Sequence, residues 1–496
     1  MPISCTASIF ISLQQISESL IMEDKGQEDS SLKNEYYQTL LERYEDMLVS
    51  QSAGFFEEEE YEDLLDYFES RNEYEKALEA CDFAIGQYAF NAWFLLRKAQ
   101  FLLEINQHQK AFHLLKKAEI LDSNEIEIYL VKAEILTDIE QYDLALKTLK
   151  KALQLTDDRE ERVLIYGSMS DVYDACEDFD NSLRCLKKAL TIDPLNEENL
   201  YKIWFLVDLG GHHQESVVLH ESLINNDPYN YLAWYNLGHA YFGLNQFKKA
   251  ADAFEYVILI NEDFEMAYRD WAESLSKQKK FEEAIEVLKQ ALDTFEPYEE
   301  WYFNLGQLYS KTGNESKARR YFRKALQLDP YYGEAYYTIG LSYRNESKPV
   351  EAGSAFKKAV SLNEHNYNYL MAYAANLAES GELIQSIEYF KTAVTINPAN
   401  EHSWKELAVA HHKMGNDEMA LQVLDDSLQH CSQQPGLLYT YAAFFGKAGK
   451  KTEAREILIK AMDLDYLNRN IFFETFPELK EDAFFESIIA AYKPKL

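Results

Sequence analysis

Residues 302–330 read YFNLGQLYSKTGNESKARRYFRKALQLDP. Tyr302, Leu305, Gly306 and Tyr309 stand at offsets of three, four and seven, which places them on one face of an α-helix. Polar residues around Gly313 and Asn314 then supply a turn. Ala318, Phe322 and Ala325 mark a second helical stripe, and Pro330 stops it because proline cannot continue a helix. The stretch therefore reads as two short helices folded against each other, with Gly306 giving the second helix room to approach the first.

The same grammar recurs along the chain. Steps of 34 residues from Trp234 land on Tyr268, Tyr302, Tyr336, Leu370, Trp404 and Leu438, and backward on Leu200 and Tyr166. One step of 37 then reaches Tyr129, and steps of 34 reach Leu95 and Tyr61. The three additional residues are expected in a loop near TDDREER (156–162). Four residues after most of these positions comes a small residue, such as Ala99, Ala133, Gly238, Gly306, Gly340 or Ala408. Sixteen after comes alanine (Ala77, Ala250, Ala318, Ala352) and twenty after a large residue (Leu115, Phe254, Phe322, Phe390). Asp-Pro or Asn-Pro closes several units, at Pro194, Pro228, Pro330 and Pro398. The pattern weakens in the unit beginning near 198, where Ser216 and His220 stand in place of Ala and Phe, and at the N-terminal end, where Cys81 holds an expected Phe position.

This pattern resembles the tetratricopeptide repeat, W-x2-L-G-x2-Y, then A-x3-F, then P over 34 residues. The resemblance implies an all-α fold, a right-handed superhelical α-solenoid of helix-turn-helix repeats with capping helices at both ends. About twelve repeats are expected over 55–470, an N-terminal cap over 31–54, and a C-terminal cap over 471–496. In the N-terminal cap, Leu32, Tyr36, Leu40, Tyr44 and Met47 share one face; in the C-terminal cap the apolar residues are Phe484, Phe485, Ile488, Ile489 and Tyr492. Residues 1–30 are read as disordered or an upstream extension, with Met22 the expected start.

Composition restricts function before any site is named. The 84 acidic and 49 basic residues give a formal charge of −35 over 496 residues, which opposes nucleic acids and anionic membranes. A protein or peptide with a basic or neutral surface is the expected partner, and self-association is allowed. The five cysteines lack C-x-x-C spacing and are read as free thiols of a cytoplasmic protein. No apolar run reaches the roughly 18 residues of a membrane span. Phosphate-binding G-x-x-x-x-G-K-[ST], G-x-S-x-G and H-E-x-x-H motifs are missing, so no enzyme, cofactor or metal site is expected. His212, His213 and His220, and the pair His411 and His412, lack a completing ligand set.

The expected function is that of a non-enzymatic protein-interaction scaffold. The resemblance implies binding along the inner face of the first helices, at offsets −2, 1, 2, 5, 8 and 9 from the first large residue. On this chain that selects Tyr201, Lys202, Tyr235, Asn236, His239, Arg269, Phe303, Asn304, Gln307, Tyr337 and Arg344, a mixture of aromatics, amides and guanidinium groups suited to an extended peptide. The N-terminal repeats place Glu59, Glu62, Asp63, Asp66, Glu127, Glu134, Asp138, Asp171 and Asp174 on the same wall. The run FFEEEEYEDLLDYFES (55–70) adds a second candidate, an acidic docking patch of Glu57, Glu58, Glu59, Glu62, Asp63 and Asp66, which also suits the positive end of a helix dipole. That patch supports the alternative of a regulatory or assembly subunit docking through its acidic repeats or outer face. The family's carboxylate clamp for chaperone tails does not assemble, because Asn236 and Asn304 stand alone.

Overall fold

In a computed structural model, which describes residues 27–50, 55–431 and 433–492, every regular element is helical. Of the stretch 1–30 read as disordered or an extension, residues 1–26, with the expected start at Met22, lie outside the described residues, whereas 27–30 belong to the first helix. The chain divides at Gln246 into two compact units.

The first unit opens with α1 (Gln27–Ser50). It continues with α2 (Glu58–Glu69), α3 (Tyr74–Gln87), α4 (Ala92–Glu104), α5 (His108–Leu121), α6 (Ile126–Asp138) and α7 (Tyr142–Leu155). It ends with α8 (Arg159–Ala175), α9 (Phe179–Ile192), α10 (Glu197–Gly210), α11 (His213–Asn226) and α12 (Tyr231–Gly243). The second unit begins with α13 (Phe247–Ile260), α14 (Glu265–Lys277), α15 (Phe281–Thr294), α16 (Glu299–Lys311), α17 (Glu315–Leu328) and α18 (Gly333–Asn345). It proceeds through α19 (Pro349–Leu362), α20 (Tyr367–Glu379), α21 (Leu383–Ile396), α22 (Glu401–Lys413), α23 (Asp417–Cys431), α24 (Pro435–Lys447) and α25 (Lys451–Leu464). Two short helices, α26 (Ile471–Thr475) and α27 (Ala483–Ala491), flank a 3-10 turn at Pro477–Glu481.

Local chemistry sets the boundaries. Asn91, Asn196, Asn230, Asn366 and Asn400 cap α4, α10, α12, α20 and α22 by accepting a bond from a backbone N–H of the first turn. Each tight turn between paired helices carries one left-handed residue, with φ between 56° and 84°. These are Asn72, Asn106, Glu140, Glu177, Gly211, Asn245, Lys279, Gly313, Ser347, Gly381, Gly415 and Gly449, again 34 residues apart except for one interval of 37. The long interval is not a loop, as the sequence suggested. α8 has 17 residues where α4 and α6 have 13, and the loop before it (156–158) is one residue shorter than theirs, because Asp158 caps Glu160 and Glu161 and draws the acidic segment into the helix. Negative side chains favour that first turn.

Within each unit the buried stripe is the one the repeat demands. Phe322 and Phe356 are fully buried, and a methyl group at Gly306 or Gly340 would stand about 2.5 Å from their rings. The indoles of Trp234 and Trp404 donate to the carbonyls of Pro228 and Pro398, tying each helix to the preceding corner. Leu40, Tyr44 and Met47 of α1 are buried with Phe56 and Phe68, while Tyr36 stays largely exposed and donates to Asp63. At the far end Phe472, Phe476, Leu479 and Phe485 close the core next to α24.

One pair departs from the rule. α10 packs on α9 and α12 but only lightly on its own second helix, α11. The cause is legible at Trp204, which occupies the offset-four position held by Gly, Ala or Ser in every other repeat but the first, where it is Leu65. An indole there keeps α11 away, and it stacks instead on His239 of α12 at 5.1 Å. Ser216 and the fully buried His220, bonded to each other, replace the usual Ala and Phe of α11.

Candidate functional site

Three of the residues selected from sequence are packing groups, not surface groups. Tyr235 and Phe303 are buried, the latter against Phe322 and Tyr332. Asn236 is 2% exposed; its amide donates to the Leu200 carbonyl at 2.8 Å, and its Oδ1 has no partner among the described residues. The reason is geometric: a first helix in the array is covered by its partner and by corresponding helices on either side. Offsets one and two therefore fall partly inside contacts with the next helix.

In the first unit the remaining selected residues cluster. Tyr201 is half-buried and shares a hydroxyl hydrogen bond with Tyr231. His239 sits between Trp204 and Tyr235, whose ring centroid is 4.6 Å away. Lys202, with only 13% of its side chain exposed, reaches Asp171 at 2.9 Å and Glu198 at 2.7 Å. Asp171 and Asp174 nonetheless have raised pKa values, because the surrounding protein mass removes water from them and outweighs the attraction of Lys202. Glu134 is pushed up to about 7, first by desolvation and then by Asp138, Glu104 and Asp171. Asp138 is raised by desolvation and partly offset by His108, at 3.7 Å. Glu134, Asp138 and Asp171 are exposed, and Asp174 is half-buried. The sequence reading did not select Phe205 and Leu209, 45% and 50% exposed, although they lie at offsets five and nine of α10. Trp204 at the small-residue position was the signal that this pair differs.

The acidic patch is largely engaged inside its own unit. Glu57 and Glu60 form a capping box at the start of α2. Glu60 pairs with Arg43, Asp63 accepts from Tyr36, and Asp66 and Glu69 hold Arg97. Glu58 and Glu59 remain exposed, and Glu62 is half-buried with a raised pKa from desolvation and its acidic neighbours.

In the second unit the selected groups are dispersed. Arg269 bonds the adjacent Asp270 at 3.1 Å. Asn304 and Gln307 are half-buried on α16, Tyr337 lies against Tyr369, and Arg344 sits over the Phe356 ring. Among the histidines, His212 faces Asp180, His213 faces Asp208, and His412 faces Asp417. No group of three or more ligand-type side chains gathers among the described residues. No helix among them is long and apolar enough to cross a membrane.

Paired helices repeating every 34 residues, with their buried stripes and left-handed turns in phase, define an α-helical repeat protein of the interaction-scaffold kind. Family models described as tetratricopeptide repeat match residues 126–159, 164–194, 231–264 and 263–330. The chain thus carries tetratricopeptide repeats over these residues. A model described as bacterial transcriptional activator domain matches 302–437 and overlaps the repeats at its start. No curated protein matches the sequence. Among solved structures, the chain is similar to the anaphase-promoting complex hetero-tetramer Cut9–Hcn1 (16% identity, 85% of this chain and 97% of that one, TM-score 0.32). It is also similar to YrrB, a TPR protein with an unusual peptide-binding site (17%, 36% and 92%, TM-score 0.30). MamA is a third (23%, 40% and 95%, TM-score 0.28).

Proposed function

We propose that this chain is a non-enzymatic cytoplasmic scaffold that holds a partner protein against the first-helix wall of its first unit. The observation that carries the reading is the row of solvent-reachable carboxylates Glu134, Asp138, Asp171 and Asp174 on two successive first helices, with Lys202 paired to Asp171 and Glu198. Such a wall favours a partner segment carrying lysine or arginine, and it repels nucleic acid and anionic lipid. On the second unit, Asn304, Gln307 and Arg344 offer amide and guanidinium groups for a further stretch of backbone.

The test is affinity purification of the wild-type chain beside a Glu134→Gln/Asp138→Asn variant and an Asn304→Ala/Gln307→Ala/Arg344→Ala variant. Loss of partners from the first variant, and elution of wild-type partners by raised salt, is the expected result. An unchanged partner set from the first variant removes the acidic wall from the reading. The match to the transcriptional activator domain over 302–437 favours a second reading, a regulatory or assembly subunit whose second unit joins a transcription complex. In that case partners depart with the second variant only.

A further inference from the structure

Helix α10, which packs only lightly on α11, carries an apolar pair where the acidic wall of α6 and α8 ends. Trp204, Phe205 and Leu209 belong to one helix that its own partner scarcely covers, and Phe205 and Leu209 are about half exposed. Phe205 and Leu209 stand at offsets five and nine, on the inner face of the repeat rather than on the stripe that meets the second helix, and this placement leaves the apolar pair exposed. The neighbouring helix α8 is in known register with α10. Asn199 approaches Gly167, and one turn further on Lys202 bonds Asp171. The two helices thus run parallel at this point, and Asp174 and Phe205 each lie about one turn further along their own helix. Asp208, exposed on α10 and 3.8 Å from His213, adds a third carboxylate.

An apolar patch bordered by Asp171, Asp174 and Asp208 is complementary to one kind of guest. We propose that Phe205 and Leu209, with Asp171 and Asp174, form a docking site for a segment of a partner protein in which leucine-like residues alternate with lysine or arginine. The inference rests on the scaffold reading and narrows it to one site and one chemistry. The apolar residues of the guest cover Phe205 and Leu209, and its cations meet the carboxylates of α8. Lys202 offsets one of the two charges of Asp171 and Glu198, so with Asp174 and Asp208 the border stays net negative. An acidic guest is repelled, and a guest with charge alone gains nothing from the apolar pair.

Fluorescence anisotropy with three labelled peptides tests this on the full chain: one of alternating lysine and leucine, one in which serine replaces leucine, and one in which glutamate replaces lysine. The lysine–leucine peptide is expected to bind the wild type. Phe205→Ser/Leu209→Ser should weaken it by about tenfold or more, while leaving the weak binding of the lysine–serine peptide unchanged. Asp171→Asn/Asp174→Asn should weaken both lysine peptides and flatten their salt dependence. Both pairs are solvent-accessible at least in part, so matching melting curves separate loss of docking from loss of fold. Equal binding of the lysine–leucine peptide by wild type and Phe205→Ser/Leu209→Ser overturns the site. If that equality accompanies partner loss in Glu134→Gln/Asp138→Asn, the scaffold reading stands and only this site falls. If the glutamate–leucine peptide binds as well as the lysine–leucine peptide, the assigned chemistry falls.

Discussion

At the scale of single residues, the offset-seven position shows how the repeat uses hydrogen bonds. Tyr241 donates to Glu221, and Tyr343 accepts from Arg323. His411 occupies the same position, buried, with both ring nitrogens lacking partners among the described residues. Burial, then Lys391, lowers its pKa. Unsatisfied buried polar atoms cost about 1–3 kcal/mol each in full, so His411→Tyr should stabilise the second unit by about 1 kcal/mol, read from urea unfolding. The sign with pH follows from the depressed folded value. Above the ordinary 6.5 both states are neutral; below it the unfolded chain takes up a proton that the folded one resists, and stability falls. The gap between wild type and His411→Tyr should therefore widen as pH drops from 7 to 5. A constant gap would mean that the histidine is not held neutral. His220 in the first unit, pushed down to about 4 by burial, obeys the same rule. The sequence exposed His220 as a departure from the repeat, yet it concealed the burial of Tyr235, Asn236 and Phe303. A helical wheel distinguishes two sides, whereas helices in this array are covered on three.

Among elements, the twelve left-handed turn residues and the small residues at offset four carry most of the regularity. The period of 34 was readable from side chains alone, since packing residues recur with the pleasing strictness that helix geometry enforces. What could not be read was where an insertion goes, because Asp158 makes a helix start of an apparent loop. Lys279 holds φ of 63°, a conformation that costs an L-residue about 1–2 kcal/mol. Lys279→Gly should recover up to about 1 kcal/mol after the added freedom of the unfolded chain is counted. Gly306→Ala tests the opposite case. Its methyl group would meet the Phe322 ring 2.4 Å away, and the overpacking cost of about 1–3 kcal/mol exceeds the roughly 1 kcal/mol gain in helix propensity. Thermal denaturation of the two variants should move in opposite directions. A stabilised Gly306→Ala would show that the ring shifts freely, and that glycine there is not required for close approach.

For the whole molecule, the formal charge of −35 matters through where carboxylates are crowded, because a uniform excess would be screened within about 10 Å at ordinary salt. Glu134 marks that crowding. Asp138 on its own helix, Glu104 on α4 and Asp171 on α8 all act on it, and with desolvation they hold it near 7. Desolvation is the largest cause, so the group senses the protein mass around it as well as its charged neighbours. A cationic guest on this wall should lower the pKa of Glu134 and expel its proton. Near and below pH 7 the free protein carries that proton and must release it on binding, so affinity should rise as pH increases from 6 to 8. Titration calorimetry of the lysine–leucine peptide in two buffers of different ionisation enthalpy counts the proton directly. Glu134→Gln should abolish the release and make affinity nearly independent of pH across this range. Proton release that survives this substitution would assign the linkage to Asp171 or Asp174, and a guest that takes up protons would place it away from the acidic wall.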